Sequence, residues 1–292
     1  MQTALILCRL LHFGATMLLF GASAFVWLLA PVGLARELSG PARRMAAAAI
    51  VVAAVTAFAW LALEAAEMSE DWGDVIDPEI LSAVAFETAF GHVWIWRIGL
   101  ALVLVGALAM GRHDRWAFVV PASALLLASL GLVGHAAMQP GFVGALHRLN
   151  HAVHLLCAGA WLGALAPLIL CLRRYGDPRL RSEAALALRR FSGLGHFVVA
   201  LVVLTGIVNT AWTLGGWPVD FSSLYQILLA AKIALVATMI ALALANRYIL
   251  APRIKNQTGS ALRALTINTV AEIGLGAAVL ALVSVFATLA PV

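Results

Sequence analysis

Apolar residues run through this chain in stretches of about 20, separated by short segments where arginines or acidic residues gather. As a helix, each stretch is long enough to cross roughly 30 Å of hydrocarbon. Eight are predicted, at 4–30, 44–66, 92–110, 117–138, 151–172, 191–214, 224–250 and 264–290. The expected fold is an all-α polytopic membrane protein, a bundle of eight transmembrane helices forming a single domain over 1–292. No apolar stretch remains to build a separate globular core, and no sequence repeat relates the two halves. A composition of 63% hydrophobic and only 11% charged residues agrees with this class.

Charge placement sets an expected orientation. The segments after spans one, three, five and seven hold Arg36, Arg43, Arg44, Arg112, Arg115, Arg173, Arg174, Arg179, Arg181, Arg189, Arg190, Arg247, Arg253, Lys255 and Arg263, which is 15 of 19 basic residues. The positive-inside rule places them in the cytoplasm and both termini in the periplasm. Opposite them, the segment after span two carries Glu67, Glu70, Asp71, Asp74, Asp77, Glu79 and Glu87. The net charge of +5 then reflects topology and lipid headgroup contact, not nucleic acid. The amino terminus resembles a secretory signal where Leu28, Leu29 and Ala30 precede Pro31, but its basic residues follow the apolar run instead of preceding it. It is read as a retained first span.

With this orientation, six of eight histidines fall in the outer leaflet or at its edge: His12, His92, His135, His147, His151 and His154. His113 and His196 lie toward the cytoplasm. In HRLNHAVHLLCAGAW, from His147 to Trp161, three imidazoles spaced i, i+4 and i+7 share one side of a helix, and Cys157 continues the stripe. Cys8 stands one turn before His12, and Met138 follows His135. The candidate metal ligands are therefore His151, His154, His147, His92, His135, His12, Met138, Cys157 and Cys8. Imidazole suits both copper oxidation states, and thiolate and thioether favour Cu(I), so a copper ion is the expected ligand. Lone membrane histidines and cysteines also pack between helices, and that alternative stands beside the first for His12, His92, His135, Cys8 and Cys157. Arg97, Asn209, Lys232, Asn246 and Glu272 are buried polar groups expected to bond between helices; for Lys232 and Glu272, mutual neutralisation or a gating role is the alternative.

Four ordered blocks carry a resemblance: HAVHLLCAGAWLG from His151, RRFSGLGHFVVALVVLTGIVNT from Arg189, LYQILLAAKIALVATMIALALANRYILAPRI from Leu224, and AEIGLGAAVLALVSVFATLAP from Ala271. They resemble the CopD/PcoD copper-resistance inner-membrane family over roughly His147 to Pro291, with a looser match before. The resemblance implies a multi-pass protein of the bacterial inner membrane that handles copper, often beside a separate periplasmic CopC-like copper-binding partner. It marks His151, His154, Lys232, Asn246, Arg247 and Glu272 as family-like positions.

The function expected is uptake of copper from the periplasmic side and its movement inward, without enzymatic activity. Two alternatives are a b-type haem electron-transfer protein, for which His196 is the sole deep inner histidine, and a copper-binding assembly factor or sensor that does not transport. No GxxxxGK segment supports ATP-driven pumping, and no hydrolytic triad is visible.

Overall fold

The computed structural model describes residues 1–109, 115–134, 139–254 and 258–289. His135 and Met138, together with Arg112, His113 and Lys255, lie outside the described residues.

The described chain is helical almost throughout, with no strand among the described residues. In order, its helices are α1 (Gln2–Ala24), α2 (Val32–Ser69), α3 (Pro78–Glu87), α4 (Ala89–Ala109), α5 (Arg115–Ala128), α6 (Gly141–Leu162), α7 (Leu165–Arg174), α8 (Arg181–Leu214), α9 (Leu224–Ala245), the short turn α10 (Ala251–Arg253) and α11 (Thr258–Phe286). Eight helical segments are long and apolar enough to cross a membrane, and they coincide with the eight predicted stretches. Helices extend well beyond those stretches on the arginine-rich side. There α2 begins at Val32 and α8 at Arg181, because a polar sequence continues a helix readily once the apolar part has nucleated it.

Two features depart from a plain hairpin bundle. The acidic segment after α2 contains α3, whose start is signed by Asp77 followed by Pro78: the Asp77 carboxylate accepts from Glu79 N–H at 2.8 Å and Ile80 N–H at 3.3 Å. The fifth span is interrupted between α6 and α7 at Gly163 and Ala164. Glycines make the reason visible. A Cβ on Gly163 would stand 2.0 Å from the Met17 carbonyl oxygen, and one on Gly21 would stand 2.3 Å from that of Gly159. Backbones of α1 and α6 therefore touch, which in a lipid solvent replaces the hydrophobic drive with close van der Waals contact.

Helix α1 is the axis of the bundle and packs against α2, α5, α6 and α11. Its Leu19, with Phe25 and Val26 in the turn that follows it, joins Leu34, Leu38, Leu104, Val119, Trp161 and Leu165 in one continuous core. Helices α8 and α9 are peripheral, and Leu194, Phe197, Leu204, Ile207 and Ile233 on them expose apolar side chains, as a lipid-facing surface requires. At the arginine-rich end, Glu183 of α8 accepts from the Leu34 N–H at 2.6 Å and so satisfies the first turn of α2.

Candidate metal centre on α6 and α8

Helix α6 starts at Gly141, ten residues before the predicted start of the fifth span, so His147, His151 and His154 sit inside an established helix. At 1.5 Å per residue, His151 is about 15 Å from the first residue of α6. The three imidazoles face the antiparallel helix α8, and each meets a polar group there or on the segment before α6.

The hydrogen bonds fix which ring nitrogen carries the proton. His154 Nδ1 lies 3.0 Å from Thr205 Oγ1, and that hydroxyl donates its one proton to the Leu201 carbonyl, four residues back. The hydroxyl can only accept from His154, so Nδ1–H is the donor and Nε2 keeps its lone pair. Gly206 makes room for this ring, since a Cβ there would come within 3.4 Å of His154 Cε1. His147 follows the same logic. Gln139 donates Nε2–H to the Trp212 carbonyl at 3.0 Å, which turns its Oε1 to His147 Nδ1 at 3.2 Å. His147 therefore also carries its proton on Nδ1.

His151 differs. Asn150 Nδ2 donates to the Thr205 carbonyl at 2.9 Å and to Asn209 Oδ1 at 2.8 Å. The backbone carbonyl anchors the polarity of this chain, so Asn209 presents its Nδ2–H to His151 Nδ1 at 3.2 Å. Nδ1 of His151 is then an acceptor, and the proton of a neutral ring is on Nε2. The His151 and His154 rings are nearly parallel, 11° apart, with centroids 6.3 Å from one another.

The other candidates among the described residues do not join this group. His12 of α1 is fully buried. Its Nδ1 donates to Thr56 Oγ1 at 2.8 Å, and its Nε2 accepts from the Arg97 guanidinium. Arg97 is held in turn by the Leu126 carbonyl at 2.8 Å, by Ser129 Oγ and by the face of Trp94. Cys8 donates to the Thr56 carbonyl at 3.2 Å. His92 bonds the Phe86 carbonyl at 2.8 Å, closing the end of α3. Cys157 follows His154 on α6 and is half-buried. Among the described residues, no three His, Cys, Asp or Glu side chains converge as a ready-made metal cluster. Among the described residues the candidates thus form separate stations, with the α6 row the contiguous one.

Toward the arginine-rich end lies a second polar zone. Glu272 accepts from Asn246 Nδ2 at 2.8 Å, and Asn246 accepts from Asn268 at 3.0 Å. Arg247 donates to Ser192 and His196 meets the Tyr248 hydroxyl at 3.0 Å; Ser192, His196, Asn246, Arg247 and Glu272 line a cavity of about 290 Å³. Lys232 does not pair with Glu272: its Nζ sits 5.6 Å above the Phe286 ring. Among the described residues, side-chain ion pairs are Arg9–Glu64 at 3.8 Å and Arg174–Glu37 at 2.8 Å.

Sequence reasoning missed Gln139, Asn150, Thr205 and Trp212. A signal existed in LTGIVNT, where Thr205 and Asn209 are spaced i, i+4 and so share the face turned to α6.

An eight-span helical bundle with a row of imidazoles between two of its helices defines a polytopic membrane protein that carries polar side chains between its spans. Residues 1–145 match the family model described as copper resistance protein D-like, N-terminal domain, and residues 185–286 match that of copper resistance protein D. The chain belongs to the copper resistance protein D family. It is 38% identical over 285 residues to the inner membrane protein YebZ of Escherichia coli (strain K12), covering 97% of each chain. It is 31% identical over 216 residues to copper resistance protein D of Pseudomonas syringae pv. tomato, covering 70% of each. To copper transport protein CutJ of Bacillus subtilis (strain 168) it is 27% identical over 281 residues, which is 93% of this chain and 50% of CutJ. No solved structure matches. The looser first four spans of the sequence reading are thus covered by a family model of their own, whereas the α6 histidines fall between the two matched stretches.

Proposed function

We propose that this protein binds copper on the α6 histidines and passes it inward from the periplasmic side of the bacterial inner membrane. The observation that carries the reading is the pair of hydrogen bonds from His154 Nδ1 to Thr205 and from His147 Nδ1 to Gln139. Tying Nδ1–H to an oxygen presents the Nε2 lone pair outward, which is how protein imidazoles are prepared for a metal. The name CutJ, a copper transport protein, and the inner-membrane description of YebZ support the same assignment. Positive-inside placement of the arginines puts both termini and the α6 row on the periplasmic side.

Arginines repel cations and cannot ligate them, and they dominate the other face; this asymmetry favours inward delivery. The acidic segment around α3 raises the local cation concentration near the outer surface. A separate periplasmic copper-binding protein of the CopC type would be the donor, and no catalytic step is needed.

Overproduction in cells given moderate copper tests this. Cell-associated copper and copper sensitivity rise with the wild-type chain and not with the His151→Ala, His154→Ala double variant. Unchanged cytoplasmic copper together with altered copper loading of a periplasmic enzyme would assign a store or relay instead. A strong Soret band in the purified protein would assign haem.

A further inference from the structure

The three α6 imidazoles are not equivalent, and the odd one stands in the middle. His147 and His154 hold their protons on Nδ1 because each faces an oxygen, that of Gln139 and that of Thr205. His151 faces the Nδ2–H of Asn209, which consumes its Nδ1 lone pair. The amide cannot be read the other way round without breaking its bond to Asn150, which is itself pinned to the Thr205 carbonyl. Seven residues separate His147 from His154, about 10.5 Å along the helix axis, too far for one ion to be shared by both imidazoles. A copper ion moving along this row must use His151 in between.

We infer that Asn209 is a positioning residue that gates the row by holding His151 in the tautomer whose Nε2 bears the proton; this inference rests on the copper reading above. Rotation of the Asn209 amide by about half a turn brings its Oδ1 to His151 Nδ1. The ring then carries its proton on Nδ1 and offers the Nε2 lone pair. One proton leaves Nε2 and one is taken up at Nδ1, so net charge does not change. The rotation breaks the bond between Asn209 and Asn150, and metal coordination at Nε2 offsets that loss. Two discrete amide orientations make the gate two-state, with copper favouring the ligating one.

The test uses the full chain in detergent with ¹⁵N-labelled histidine, and silver(I) as a closed-shell stand-in for Cu(I). His151 signals are assigned by their loss in His151→Gln. In the metal-free wild type, His151 is expected to show its proton on Nε2 while His147 and His154 show theirs on Nδ1. Asn209→Asp places an oxygen acceptor against Nδ1 permanently and is expected to move the His151 proton to Nδ1 without metal. Asn150→Leu frees the amide without adding charge, and is expected to tighten silver binding by about tenfold, the worth of one hydrogen bond. A merely structural Asn209 would leave the His151 tautomer unmoved. A wild-type His151 already protonated on Nδ1, or a tautomer indifferent to Asn209→Asp, would overturn the gate. If the tautomer responds as expected but silver does not bind, the positioning role stands and the copper reading fails.

Discussion

His12 and His154 are held by the same device and meet different partners on their second ring nitrogen and around the ring. Each donates Nδ1–H to a threonine hydroxyl, Thr56 or Thr205, which in turn donates to the carbonyl four residues earlier, Val52 or Leu201. Each ring is thereby fixed with its Nε2 lone pair outward. At His12 that lone pair is taken by the Arg97 guanidinium, a permanent cation anchored on Leu126, Ser129 and Trp94. At His154 the groups that touch the ring from α8 are neutral, Thr205 and Gly206, and the nearby cation, Lys232, acts on the ring through space without bonding to it. The N-terminal site carries its own cation as part of the fold. On the function proposed above, the α6 site takes a cation that comes and goes.

The comparison breaks most visibly at the α6 pair. Replacing both His151 and His154 by Ala is expected to lower copper affinity by at least about 100-fold, while the melting temperature changes little because both side chains are only half-buried. Equilibrium competition with a chelator of known affinity, alongside a thermal melt, reads both.

At the other site the ranking of the two readouts reverses. Arg97→Ala leaves His12 Nε2 without its partner and opens a cavity beside Trp94 in the bundle interior, while the Leu126 carbonyl keeps its bond from Ser129 at 2.8 Å, for a cost of about 2–4 kcal/mol. A large fall in melting temperature or in folded yield is the expected result. His12→Ala, by contrast, should leave copper stoichiometry unchanged, and loss of bound copper in that variant would erase the distinction drawn above.

Smaller effects sharpen the picture. Thr205→Val removes the acceptor of His154 Nδ1–H without touching a ligand, and about a tenfold loss of copper affinity is expected in the same competition assay. Gly163→Ala forces a Cβ against the Met17 carbonyl. It should cost about 1–3 kcal/mol in a thermal melt by pushing α6 from α1, with copper affinity falling only as far as the α6 row is displaced.

Much of the fold was legible because hydrophobic length alone decides what crosses a membrane, and all eight spans follow from it. Helix α3 was hidden inside an acidic segment although Asp77 and Pro78 announce its start. The break at Gly163 was hidden because it answers to Met17, far away in sequence. For the site, helical spacing gave the row His147, His151 and His154, but a single helix says nothing about what faces it. Whether an imidazole is open or plugged depends on the neighbouring helix: Arg97 reaching His12 across 85 positions, Thr205 reaching His154 across 51. The pairing of Lys232 with Glu272, open in the sequence, is settled by packing: Lys232 turns to Phe286 and Glu272 to Asn246.

The most direct test is X-ray absorption on Cu(I)-loaded, detergent-purified protein, measured for the wild type and for the His151→Ala, His154→Ala variant. The account predicts imidazole-nitrogen scattering around copper in the wild type, with no copper retained by the variant. A sulfur-dominated copper shell, or an unchanged imidazole signature in the variant, would contradict it.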